Sequence, residues 1–151
     1  MSTRSFICVE QDDGSYKGVY CHSDGYLTYN GAMLLDHYNS REKASEIIAL
    51  GDLSLLCEKL YPDPERPHSF DYDSRQEDVT VAYGRDRGEK GTEAREITLE
   101  DAKESWCEYM YVFGKDGKWS YYNLCEYAPE LRDVETDLAK EFEKMGIERP
   151  A

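Results

Sequence analysis

The side chains best suited to nucleophilic or metal chemistry are three histidines and five cysteines, and their spacing serves neither. Cys21, His22 and Asp24 lie close together, but no second ligand cluster follows at finger or ribbon spacing. Adjacent strand residues point to opposite faces, which separates Cys21 from His22. No metal and no other cofactor is expected. The chain has no G-x-S-x-G elbow and no cysteine–histidine pair at a catalytic spacing. Loss of Met1 would leave Ser2, then Thr3, and a free amine can act as base for such a hydroxyl. Any chain opening Met-Ser offers that chemistry, so it singles out nothing. His37 beside Leu34 reads as a packing residue, and His68 as part of a proline-rich loop. No catalytic residue is assigned, and the chain is read as a non-enzyme.

Two groups of residues are suited to binding instead. The first is cationic: Gly84-Arg85-Asp86-Arg87-Gly88-Glu89-Lys90-Gly91 is a local cluster of positive charge in an acidic chain. It matches neither glycine pattern used to cradle phosphates, although Arg85 and Arg87 suit two-pronged contact with a carboxylate or phosphate. A pocket gathering Arg4, His22, Asp24 and Arg85 would be a small-ligand site, for binding or for catalysis. The second group is acidic. Residues 63–78 carry Asp63, Glu65, Asp71, Asp73, Glu77 and Asp78 around Phe70 and Tyr72. Aromatic side chains anchor a protein contact and exposed carboxylates steer its approach. This segment, with the acidic outer face of the last helix, is the expected partner-binding surface.

The formal net charge of -14 is spread along the 151 residues, with a mild excess in the middle. Such a surface repels nucleic acid and anionic membranes and suits a basic protein partner or simple solubility. No apolar run approaches a membrane span, and Met1–Ser5 runs straight into a strand without a signal peptide. Cys8, Cys21, Cys57, Cys107 and Cys125 are odd in number and form no C-x-x-C pair. Reduced, mostly buried thiols in a cytoplasm are therefore expected. The 13 tyrosines favour half-buried strand faces and interfaces.

The elements that must position these residues form one domain. Residues 5–11 and 16–22 predict a hairpin about Asp13-Gly14. Helices are predicted over Ala32–Tyr38, from a Ser40 cap to Leu50 with Gly51 as terminator, and over Leu53–Leu60 with Asp52 as cap. A strand covers Val79–Tyr83, and Gly84–Gly91 reads as a loop free to move. Thr98 and Asp101 make a capping box. Residues 108–113 and 118–124 predict a second hairpin about Asp116-Gly117, with Cys107, Tyr109, Tyr111 and Phe113 on one face. The last helix begins at Pro129, carries Leu131, Val134, Leu138, Phe142 and Met145 as one apolar stripe of which the first four are expected to be buried, ends at Gly146, and turns Glu130, Asp133, Asp137 and Glu141 outward. The order of elements predicts an α+β fold. Its antiparallel sheet has about five strands in two hairpins, with helices packed on one face.

Several stretches carry a family resemblance: Ser2-Thr3-Arg4-Ser5, then Gly18-Val19-Tyr20-Cys21-His22-Ser23-Asp24-Gly25-Tyr26, Leu34-Leu35-Asp36-His37-Tyr38, Leu50-Gly51-Asp52-Leu53, Pro67-His68-Ser69-Phe70-Asp71 and Tyr83-Gly84-Arg85-Asp86-Arg87-Gly88. The chain resembles small proteins carried by phages, prophages and integrative elements of Gram-positive gut bacteria. These proteins open Met-[Gly/Ser]-Thr-Arg-Ser and carry a following Asp-Gly-Tyr. The likeness covers most of residues 1–95 and departs at Leu27-Thr28, where relatives often have proline. The family has no established activity, so no site residue carries over. The resemblance implies a context in which small acidic proteins block host defences such as RNA-guided nucleases and restriction enzymes. The expected function is that of an acidic, non-enzymatic binding protein of a mobile element. It would inhibit a basic, nucleic-acid-binding host protein in the host cytoplasm without touching nucleic acid or membrane itself.

Overall fold

The computed structural model describes residues 3–146. In chain order these form strands β1 (Ser5–Glu10) and β2 (Tyr16–Cys21), a wide helical turn at Leu27–Gly31, and helices α1 (Ala32–His37) and α2 (Arg41–Ala49). Strands β3 (Leu53–Leu55) and β4 (Val81–Ala82), helix α3 (Tyr83–Arg87), strand β5 (Arg95–Glu96) and helix α4 (Leu99–Glu104) follow. The chain closes with β6 (Tyr109–Phe113), β7 (Trp119–Asn123), β8 (Arg132–Asp133) and α5 (Val134–Lys144).

Two hairpins with the same turn chemistry occupy the centre of the sheet. In β1–β2 the chain reverses through Gln11–Ser15, with Gly14 at φ +86° and the Asp13 carboxylate accepting from Ser15 N at 3.0 Å. In β6–β7, Gly117 takes φ +77° and Asp116 accepts from Lys118 N at 3.1 Å. Only the glycine of each pair enters the left-handed region, and the aspartate acts through its side chain. β1 and β6 pair in parallel, so both turns lie at one end, where Lys115 N donates to Glu10 Oε1 at 2.9 Å.

The fold is α+β, but the sheet is larger and less regular than the sequence predicts. Eight strands are joined in one mixed sheet, ordered β4-β3-β2-β1-β6-β7-β8, with β5 alongside β2. β1·β6 and β2·β3 are parallel and the other named pairs antiparallel. Nor are the helices confined to one face. The larger core packs Ile7, Val19, Tyr111, Trp119 and Leu138 with α1, α2 and α5, while a smaller core of Phe6, Cys8, Cys107, Met110 and Val112 lies with Ala102 of α4. Residues 5–9 of β1 and 110–113 of β6 are buried throughout. Central strands covered on both faces read as unbroken apolar runs. Cys107 therefore faces away from Tyr111 and Phe113, contrary to the predicted shared face.

Three predicted elements are replaced. Leu53–Leu60 is not a helix: Leu53 and Ser54 carbonyls accept from His22 N and Ser23 N, extending the pairing with β2. Asp52, the expected cap, instead accepts from Tyr20 N at 2.9 Å and Arg95 at 2.8 Å. Pairing across the sheet overrides the helical spacing of the leucines. Gly84–Gly91 is partly the short helix α3, held at its start by Asp86 accepting from Ala82 N at 2.8 Å. The last helix starts at Val134, not Pro129, because Asp133 caps it by accepting from Thr136 N at 3.0 Å. Residues 132–133 pair with β7 instead, leaving Leu131 51% exposed; Met145, past the far end of the helix, is 53% exposed.

Candidate functional site

Residues 63–78 hold almost no regular structure, yet they are firmly placed. The organiser is Gln76, which is buried. Its amide oxygen accepts from Asp63 N, and its NH₂ donates to the carbonyls of Asp63 and Arg66, each at 2.9 Å. Gln76 N donates to His68 Nδ1 at 2.9 Å, which places the imidazole proton on Nε2. That nitrogen stands 3.5 Å from Asp86 Oδ2, too long for a good hydrogen bond.

Asp86 joins this loop to α3. Its side chain is only 4% exposed and pairs with Arg85 at 2.9 Å. Burial alone would raise the Asp86 carboxyl. The Arg85 contact and the Ala82 N–H, with the charge of Arg85, overcome that and hold it below the ordinary carboxylate range. Arg85 also donates to the carbonyls of Leu60 and Thr80. The guanidinium expected to grip a ligand is thus built into the chain's own main-chain contacts. Phe70 is similarly employed: its ring lies 5.3 Å from Tyr83, with Arg87 4.5 Å and Arg75 5.5 Å from its centroid.

What this frame turns outward is chiefly acid, with Arg66 and one aromatic ring. Asp63, Glu65, Asp71, Asp73, Glu77 and Asp78 are exposed, and Tyr72 is 83% exposed. Tyr72, Arg75, Glu77 and Asp78 border a cleft of about 310 Å³ that Leu55, Val79 and Val81 also line, so its charged groups sum to one negative charge. Asp78 adopts φ +61°, an uncommon left-handed backbone for a non-glycine residue, directly before Val79. The acids of the last helix are less free. Asp133 is its cap, Asp137 accepts from Tyr121 OH at 2.8 Å, and Glu141 is half-buried.

The four residues of the expected ligand pocket do not line one pocket. Arg4 borders a concavity of about 340 Å³ together with Phe6, Tyr20, Arg95 and Trp106. His22 reaches it only through Tyr20, whose hydroxyl lies 2.6 Å from His22 Nδ1. Asp24, at φ +54°, serves the loop by accepting Asn30 N on its carbonyl. Arg85 belongs to the Asp86 cluster. Arg95 and Trp106 were not singled out from the sequence. One lies in a charged run and the other just before a hairpin, and neither position signals convergence.

Among the described residues, no group of three or more His, Cys, Asp or Glu side chains is placed to hold a metal ion. Among them, too, no helix is long and apolar enough to cross a membrane. Ser2 lies outside the described residues. No protein-family model matches the chain, and neither a curated protein nor a solved structure is found to be similar to it.

Proposed function

We propose that this chain is a non-enzymatic acidic binding protein of a mobile genetic element, acting in the cytoplasm of a host bacterium on a basic host protein. A nucleic-acid-binding defence nuclease, or its complex, is the class of partner that the charge suits. The observation that carries this reading is the Gln76-organised loop, which presents carboxylates and Tyr72 around a cleft of mixed lining in which the two carboxylates Glu77 and Asp78 outnumber the single cation, Arg75. A disordered acidic tail would need no such frame. A lysine or arginine of the partner fits the cleft, with its aliphatic stem on Val79 and Val81 and its charge toward Glu77 and Asp78. The opening Thr3-Arg4-Ser5 and the later Asp24-Gly25-Tyr26 support the mobile-element context through the resemblance they carry.

The test compares wild type with a variant carrying Asp71→Asn, Asp73→Asn, Glu77→Gln and Asp78→Asn, each immobilised against the same host lysate. A basic protein should be retained by wild type at low salt, be released as salt rises, and be lost from the variant. Equal retention by both proteins would refute the assignment of this surface.

A further inference from the structure

The pocket beside Arg4 has a character opposite to that of the rest of the surface. Arg4 and Arg95 both line it, and Asp52 is the one carboxylate among its lining residues, so its own groups sum to a positive charge. Arg95 is already satisfied in part, donating to Asp52 at 2.8 Å. Arg4 is not. Its Nε is shut off from solvent and has no hydrogen-bond partner, and among the described residues the Arg4 guanidinium makes no ion pair. A buried guanidinium N–H without an acceptor is costly, and an anion held at the outer nitrogens of the same guanidinium would offset that cost.

The remaining walls are aromatic. Phe6 and Tyr20 meet edge to face with centroids 6.3 Å apart. Trp106 stands at the same pocket 86% exposed, the most exposed tryptophan in a chain that has two. A large indole left in water beside a cationic pocket offers a stacking face for a flat ligand. Cys107 is also present, but burial raises its thiol despite the opposing influence of Ser105 and Arg4. It is a wall of the pocket and not a nucleophile.

We propose that this pocket binds a small planar anion, an aromatic ring bearing a phosphate or carboxylate, with the ring on Trp106 and the oxyanion on Arg4 and Arg95. The planar fork of a guanidinium can donate to two oxygens of a carboxylate or of a phosphate. The site is separate from the acidic loop, so the two assignments stand or fall independently.

The experiment follows the two indole N–H signals by NMR while adenosine monophosphate, indole-3-acetate, neutral adenosine or inorganic phosphate is added to the full chain. Trp119 Nε1 is buried and donates to the Tyr38 carbonyl at 3.0 Å, so its signal is the internal reference. One of the two aromatic anions should move the Trp106 signal, and which one does so identifies the oxyanion. Adenosine should bind much more weakly than its phosphate, and phosphate alone much more weakly than either aromatic anion. Arg4→Gln should weaken binding roughly tenfold or more, the effect of losing one charged hydrogen-bonding group. Trp106→Ala, at an exposed position that the fold does not need, should do likewise and carries the test if Arg4→Gln does not fold. The proposal is overturned if neither anion moves the Trp106 signal at millimolar concentration. It is equally overturned if adenosine binds as tightly as its phosphate, or if the folded variants bind like wild type.

Discussion

Gln76 closes its side-chain amide onto the main chain of Asp63, accepting the Asp63 N–H at 2.8 Å and donating to the Asp63 carbonyl at 2.9 Å. One buried amide thus does for residues 63–76 what a strand partner would do in a sheet. Gln76→Ala should destabilise the protein by about 1–3 kcal/mol. Gln76→Glu has the same shape but turns a carboxylate toward the Asp63 and Arg66 carbonyls. It should cost more than the alanine variant at neutral pH. Urea unfolding measures both, and amide exchange at Asp63 should accelerate in each. An alanine variant as stable as wild type would remove Gln76 from its organising role.

Asp86 makes the junction of this loop with α3 sensitive to acid. Its folded-state pKa is depressed, so its contribution to stability is complete above the unfolded value of about 4 and is lost as pH falls through the folded value. Wild type should therefore lose stability below about pH 4 more steeply than Asp86→Asn does. At pH 7 the asparagine variant should be less stable by roughly 2–3 kcal/mol, since it leaves Arg85 without its charged partner. Parallel acid-unfolding curves for the two proteins would contradict this.

The hairpins, α1, the Ser40 and Thr98 caps and the Gly146 terminus were legible because each rests on a local pattern of turn glycines, capping hydroxyls or apolar spacing. Ser40 accepts from Lys43 N, and Thr98 and Asp101 complete their box, as the sequence predicts. What escaped was set by partners distant in sequence. β3 follows β2 because their main chains pair, and the second covered face follows from the parallel contact of β1 with β6. The acidic segment was visible as composition, but the hydrogen bonds that fix its course were not. Gln76 is a single uncharged residue among charged ones, and nothing local marks it as buried.

The revised start of α5 separates two leucines that the sequence treats alike. Leu138 is fully buried and Leu131 is 51% exposed. Leu138→Ala should destabilise by about 2–5 kcal/mol and Leu131→Ala by less than about 0.5 kcal/mol. Thermal unfolding distinguishes them. Equal losses would restore a helix that begins at Pro129.

Cysteine reactivity offers a reading of the acidic cleft that needs no partner protein. All five thiols are free, with Cys8, Cys21 and Cys107 buried, Cys57 partly exposed and Cys125 exposed. Burial raises Cys8 far above the ordinary range and Cys21 to about 11, so neither should react until the protein unfolds. Titration in denaturant without reductant should count five thiols, and in the native state Cys125 should react first. Cys57 should follow slowly, because burial raises its thiol as well. It lines the cleft that Glu77 and Asp78 border together with Arg75, whose charge offsets one of the two carboxylates. A neutral reagent such as iodoacetamide should therefore be preferred there over anionic iodoacetate, beyond the preference seen with the unfolded chain. One unit charge near contact in water is worth about 1 kcal/mol, so the added discrimination should be at most roughly fivefold, and it should shrink as salt rises. Replacing Glu77 and Asp78 by their amides should bring the ratio at Cys57 down to that of the unfolded chain. If wild type and this variant discriminate equally, the carboxylates do not govern the cleft, and a basic side chain has no reason to enter it.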